Sequence, residues 1–131
     1  VTGQACPMWV PLVEYNEAQA PGADYFVKKY IDELLAKDNQ IDTIILGCTH
    51  YPLLLPKIKQ YVPKGIHIVS QGELVANSLQ DYLKRHPEMD ARCTRGGTCT
   101  YFTTEAEEKF ADSASTFLNE SIQVSHLDLN D

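Results

Sequence analysis

The stretch that most constrains this chain is Asp42-Thr43-Ile44-Ile45-Leu46-Gly47. It is short, β-branched and apolar at successive positions, so both of its faces call for cover. That is the signature of a buried strand in a sheet with helices on both sides. Gly47 ends the run, and Pro52, tolerated in a first helical turn, opens a helix predicted over 52–62. Strand, turn and helix here form half of a βαβ unit. The next apolar run, 66–69, supplies the following strand.

The rest of the chain continues the alternation. A helix is expected over 23–37, with Ala23, Val27, Tyr30, Ile31, Leu34 and Leu35 on one face and Lys28, Lys29, Asp32 and Lys37 on the other. Another is expected over 73–84, with Val75, Leu79, Tyr82 and Leu83 at helical spacing. Residues 98–103 alternate like a strand. Thr104 then caps a last helix with Glu107 at the capping-box spacing and a stripe of Ala106, Phe110, Ala114, Phe117 and Leu118. Residues 122–127 close as a strand. Residues 8–13 are apolar but carry Pro11, which reads as an edge strand or extended loop. The expected fold is α/β, a mostly parallel sheet flanked by helices in three αβα layers.

Composition narrows the function. Eleven Lys and Arg against eighteen Asp and Glu give a net charge of −7, which argues against a nucleic-acid platform. Residues 1–70 carry seven acids and six bases, whereas 71–131 carry eleven and five, so the first half is the better host for an anionic ligand. No apolar run approaches the ~20 residues that span a bilayer, and no basic segment with an apolar stretch opens the chain as a secretory signal. The chain starts at Val1, in a stretch that reads as mid-chain loop. Cys6, Cys48, Cys93 and Cys99 are too few and too irregular for a disulfide scaffold, so a reducing cytoplasm is expected. Cys93 and Cys99 flank a turn-like segment that reads as a surface loop, where pairing is left open.

Chemistry concentrates at Gly47-Cys48-Thr49-His50-Tyr51-Pro52. In open α/β sheets ligands bind at the carboxyl ends of strands. A thiol there, near a helix N-terminus, is biased towards the thiolate. The Thr49 amide and hydroxyl suit a carboxylate, and His50 is a proton partner. The plainer alternatives stand beside these: Cys48 as a packed small hydrophobe, Thr49 as a cap, His50 and Tyr51 as turn residues. Cys48 and His50, two ligands one residue apart, do not make a zinc site, and no metal is expected.

The run Leu46-Gly47-Cys48-Thr49-His50-Tyr51-Pro52-Leu53-Leu54 resembles the second cysteine motif of the glutamate racemases, in the aspartate/glutamate racemase superfamily. Residues 5–14, Ala-Cys-Pro-Met-Trp-Val-Pro-Leu-Val-Glu, resemble the stretch that leads to the family's acidic residue. Tyr101-Phe102-Thr103-Thr104 with Phe110 and Phe117-Leu118 resembles its C-terminal segment. The resemblance implies a cofactor-independent isomerase that interconverts L- and D-glutamate and supplies D-glutamate for peptidoglycan. Cys48 would be the acid/base on one face of Cα, Thr49 would hold the α-carboxylate, and His50 with Glu14 would tune or relay protons. Two departures are visible. Ser70-Gln71-Gly72-Glu73 stands where the family has Asp-Ser before a Gly/Ala-Glu pair, and the N-terminal half with the first cysteine is absent. The chain is therefore expected to be the C-terminal half of a two-lobed enzyme and inactive alone. Residues 1–70 would finish one lobe and 71–131 return to the other, with the missing N-terminal half as partner and a homodimer possible. Its runners-up are a racemase of aspartate or a hydantoin in the same superfamily, and a non-catalytic binding module.

Overall fold

The computed structural model describes residues 1–129. The chain divides into two compact units, Val1–Gln80 and the described residues from Asp81 onward. The chain is α/β throughout, and each unit holds one pair of parallel strands. Among the described residues no helix is long and apolar enough to cross a membrane.

The first unit begins with a correction. Residues 8–13 are not extended: helix α1 runs Trp9–Glu14. Pro11 falls in its first turn, where no intrahelical donor is needed, so the residue that argued against a central strand is compatible with a helix start. Trp9 and Val13, one helical turn apart, are both buried. Helix α2, Pro21–Lys37, buries Ala23, Val27, Tyr30 and Ile31, the face expected from its spacing, while Leu34 and Leu35 are half-buried. Pro21 occupies the start of the helix, where its missing N–H costs nothing.

Strand β1, Thr43–Ile45, pairs in parallel with β2, His67–Val69, in the register Thr43 to His67, Ile44 to Ile68 and Ile45 to Val69. Leu46 extends the ladder by donating its amide to the Val69 carbonyl at 3.0 Å. The two-sided cover expected for this strand is only half present. Ile44 and Leu46 are buried, whereas Ile45 is 66% exposed.

The helix expected over 52–62 is two elements. Tyr51–Leu54 is a 3-10 turn, and helix α3 occupies Leu55–Tyr61. Proline chemistry explains the break. Pro56 cannot donate to the Pro52 carbonyl four residues back, and the Leu55 amide takes that acceptor in an i to i−3 bond. Leu54 and Ile58 lie fully buried, and Lys57, also buried, donates to Asp24 of α2 at 2.8 Å. That bond holds the Asp24 carboxyl below its ordinary range. Helix α4, Gln71–Arg85, leaves Val75, Leu79 and Tyr82 exposed, so its apolar stripe is present but uncovered.

In the second unit, β3, Tyr101–Thr103, pairs in parallel with β4, Val124–His126. Between them runs α6, Glu107–Leu118, and a four-residue helix α5, Pro87–Asp90, precedes β3. Of the stripe predicted for α6, Phe110, Ala114 and Phe117 are half-buried, but Ala106 and Leu118 are exposed. Thr104 does not cap this helix. Ala106 occupies the N-cap and bonds through no side chain. The carboxylate of Glu107 is used elsewhere: it accepts the His126 amide at 2.5 Å. Asn119 ends α6 in the left-handed region at φ 55°. Cys93 and Cys99 are exposed free thiols on the loop before β3.

Candidate functional site

The turn at the carboxyl end of β1 is built by backbone bonds before any side chain acts. The Tyr51 amide donates to the Cys48 carbonyl at 3.2 Å, and the Leu53 amide to the His50 carbonyl at 3.0 Å. Both are i to i−3 bonds, so the chain folds back tightly and presents Cys48, Thr49 and His50 on consecutive residues. Cys48 and His50 are half-buried and Thr49 is exposed.

The side chains then converge. His50 Nε2 lies 2.5 Å from Glu14 Oε1, joining residues 36 positions apart. With Nε2–H donating to the carboxylate, Nδ1 accepts from the Thr49 hydroxyl, 3.4 Å away. The imidazole is thus held at both nitrogens, and the three residues Thr49, His50 and Glu14 form one hydrogen-bonded chain next to Cys48. Glu14 reaches this position because 8–13 is helical. As the last residue of α1 it projects from a rigid element rather than a loop. Of the four residues singled out from sequence, Thr49, His50 and Glu14 are thus joined by hydrogen bonds, and Cys48 precedes them on the same turn.

Behind the turn lies a group that sequence reading passed over. Trp9 packs its ring edge-to-face on Tyr51, with centroids 4.8 Å apart and planes at 79°. The Tyr51 hydroxyl lies near the buried Cys6 thiol, which itself donates to the Gln4 carbonyl at 3.7 Å. Burial pushes the Cys6 thiol up to about 11, against the lowering effect of the nearby Tyr51 hydroxyl. Burial also raises the Tyr51 phenol, helped by the nearby thiols of Cys6 and Cys48. An edge strand or extended loop over 8–13 does not foretell this group; in the helix, Trp9 meets Tyr51 and Glu14 meets His50 on consecutive residues of one turn.

A groove of about 630 Å³ runs along β1 on the Cys6 side, walled by Cys6, Trp9, Ile44, Leu46, Tyr51 and Ile58 among others. Cys48, His50 and Glu14 lie outside its walls. Among the described residues no three His, Cys, Asp or Glu side chains gather where they would hold a metal ion.

No family model matches the chain. Its curated relatives are consistent with one another. The glutamate racemase of Lactiplantibacillus plantarum is 35% identical over 130 residues, covering 98% of this chain and 47% of the relative. That of a Ruegeria species is 38% identical over 122 residues, covering 93% and 43%. Among solved structures, a glutamate racemase isoform of Bacillus anthracis superposes with a TM-score of 0.78 at 31% identity, over 96% of this chain and 46% of that one. The chain belongs to the glutamate racemase family and matches its C-terminal half. The glutamate racemase of Thermus thermophilus, solved with β-chloro-D-alanine, superposes at a TM-score of 0.75 and 28% identity. The chain spans about half the length of the curated glutamate racemases it matches.

Proposed function

We propose that this chain supplies one catalytic face of a glutamate racemase, a cofactor-independent amino-acid isomerase of the cytoplasm that provides D-glutamate for peptidoglycan. The observation that carries the reading is the chain Thr49–His50–Glu14 closing beside Cys48, with His50 and Glu14 at 2.5 Å across 36 residues. A thiol is suited to this work because its neutral and charged forms are both accessible near neutral pH. In one direction the Cys48 thiolate takes the Cα proton and becomes a thiol. A second thiol on the opposite face returns a proton to Cα and becomes a thiolate. The two groups exchange states and no electrons change hands.

The carbanion between these steps needs a dry, preorganised site. Thr49 offers its amide and hydroxyl to the substrate α-carboxylate, and the His50–Glu14 pair orients the proton relay beside Cys48. The second acid/base belongs to the N-terminal half, the partner that also completes the lobes dividing near Ser70. Uncovered apolar side chains support such a partner: Ile45 on β1, and Leu74, Val75 and Leu79 along α4. Isolated, this segment racemises nothing.

The test is exchange at Cα of glutamate in deuterated water, followed by proton magnetic resonance. The complete protein exchanges and inverts both enantiomers, Cys48→Ala abolishes inversion, and this segment alone is inert. Inversion by the Cys48→Ala protein, or by the segment alone, overturns the assignment.

A further inference from the structure

Cys48 stands on a turn that is gripped at two points by one short helix. Helix α1 carries Glu14 at its last residue and Trp9 at its first, ~7.5 Å apart at the helical rise of ~1.5 Å per residue. Glu14 meets His50, two residues after Cys48, and Trp9 meets Tyr51, three residues after it.

The two grips differ in kind. The His50–Glu14 contact is half in solvent, with 51% of the Glu14 side chain exposed, and water competes for both partners. The Trp9–Tyr51 contact is better shielded, on the Trp9 side above all. Trp9 is only 4% exposed, its indole N–H donates to the Phe26 carbonyl at 3.3 Å, and Tyr30 packs its ring at 6.2 Å. Its amide also donates to the Cys6 carbonyl at 3.0 Å. Trp9 is therefore fixed to α2 and to the segment before α1, and an aromatic pair of this geometry resists sliding. The Tyr51 amide closes the turn on the Cys48 carbonyl, so whatever fixes the Tyr51 ring fixes the backbone that carries the thiol.

We propose that Tyr51 is a positioning residue for Cys48, held by Trp9, and that its ring, more than its hydroxyl, sets where the thiol stands. This rests on the racemase reading, since the thiol's position matters only if it meets a substrate carbon. A displacement of ~1 Å at a reacting group costs up to ~100-fold in rate.

The test compares Tyr51→Phe, Tyr51→Leu and Cys48→Ala in the complete protein, N-terminal half included, reading kcat and KM for both enantiomers. The rate of Cys48 alkylation by iodoacetamide serves as a second readout. Tyr51→Phe keeps the ring and is expected to hold kcat within ~3-fold. Tyr51→Leu is expected to lower kcat by ~10- to 100-fold with KM changed less than ~3-fold, and to alter the alkylation rate. Native kcat in folded Tyr51→Leu, or a Tyr51→Phe protein as impaired as Tyr51→Leu, overturns the proposal. If Tyr51→Leu does not fold, Trp9→Phe is read instead: a several-fold drop in kcat at constant KM supports the grip, and native kcat overturns it. Cys48→Ala separates the two ideas. Loss of turnover there, with native turnover in Tyr51→Leu, refutes the positioning role alone, whereas retained turnover in Cys48→Ala removes the racemase reading beneath it.

Discussion

Replacing Glu14 by Gln separates a structural from a chemical role for the pair it makes with His50. The substitution keeps the shape and one hydrogen-bonding oxygen but removes the charge. The pair is close, at 2.5 Å, yet 51% of the Glu14 side chain and 31% of the His50 side chain are in solvent. Pairs so exposed contribute about 0–1 kcal/mol, because water screens the attraction and the side chains lose freedom in forming it. The expected loss of stability is thus below ~1 kcal/mol, a shift of a few degrees in Tm. The expected loss of racemisation is far larger, about 100-fold, the lower range for disabling a positioned proton-transfer group. Urea unfolding and Cα exchange in deuterated water, run on the same preparation, read the two numbers. A stability loss above ~2 kcal/mol with turnover falling in proportion to folded protein would show that Glu14 is a strut. Unchanged turnover would remove the pair from the chemistry.

Other perturbations test the frame around the site. Leu54→Ala, at a position with no exposure, is expected to cost about 2–5 kcal/mol in urea unfolding of the first unit, the range for a buried leucine that leaves a cavity. Cys6 makes stability fall with alkaline pH. Its folded thiol is raised from 9.0 to about 11, so the folded state retains a proton that the unfolded chain loses. The contribution is whole below pH 9 and disappears as pH climbs to about 11; a Cys6→Ala protein should show a flatter denaturation profile over that window. Asn119 holds a left-handed φ of 55°, so Asn119→Val is expected to destabilise the second unit by about 1–2 kcal/mol, with Asn119→Gly tolerated in the same thermal melt.

The elements legible in the sequence were those whose periodicity was long or whose chemistry was local. The face of α2 repeats over 17 residues, and Ala23, Val27, Tyr30 and Ile31 are buried as their spacing requires. The Cys48 turn follows a β-branched strand, and its three polar residues are consecutive, so their proximity was never in question. What escaped was short or tertiary. Six residues from Trp9 to Glu14 hold fewer than two helical turns, too few for helix and strand patterns to separate cleanly, and Pro11 suits an edge strand as well as a first helical turn. Glu107 sat at the spacing of a capping box but bonds the His126 amide 19 residues on, a partner no local pattern names. The exposure of Ile45 escaped for another reason: a both-sided apolar strand states what it needs, and not which segment provides it.

The parallel pairing of β1 and β2 has a consequence for folding order. Parallel strands cannot be joined by a tight hairpin, so the chain between Ile45 and His67 must form a crossover, and Cys48, Thr49 and His50 lie inside it. The turn at Cys48 is closed by its own i to i−3 bonds, but its place at the end of β1 depends on that crossover. Docking of α3 and completion of the ladder by β2 hold it in that place, so opening of the crossover is expected to release it. Hydrogen exchange at the Leu46 amide, bonded to Val69, and at the Tyr51 amide, bonded to Cys48, would report the same opening event. The lifetime of the geometry at Cys48 is then expected to follow the lifetime of a three-residue ladder.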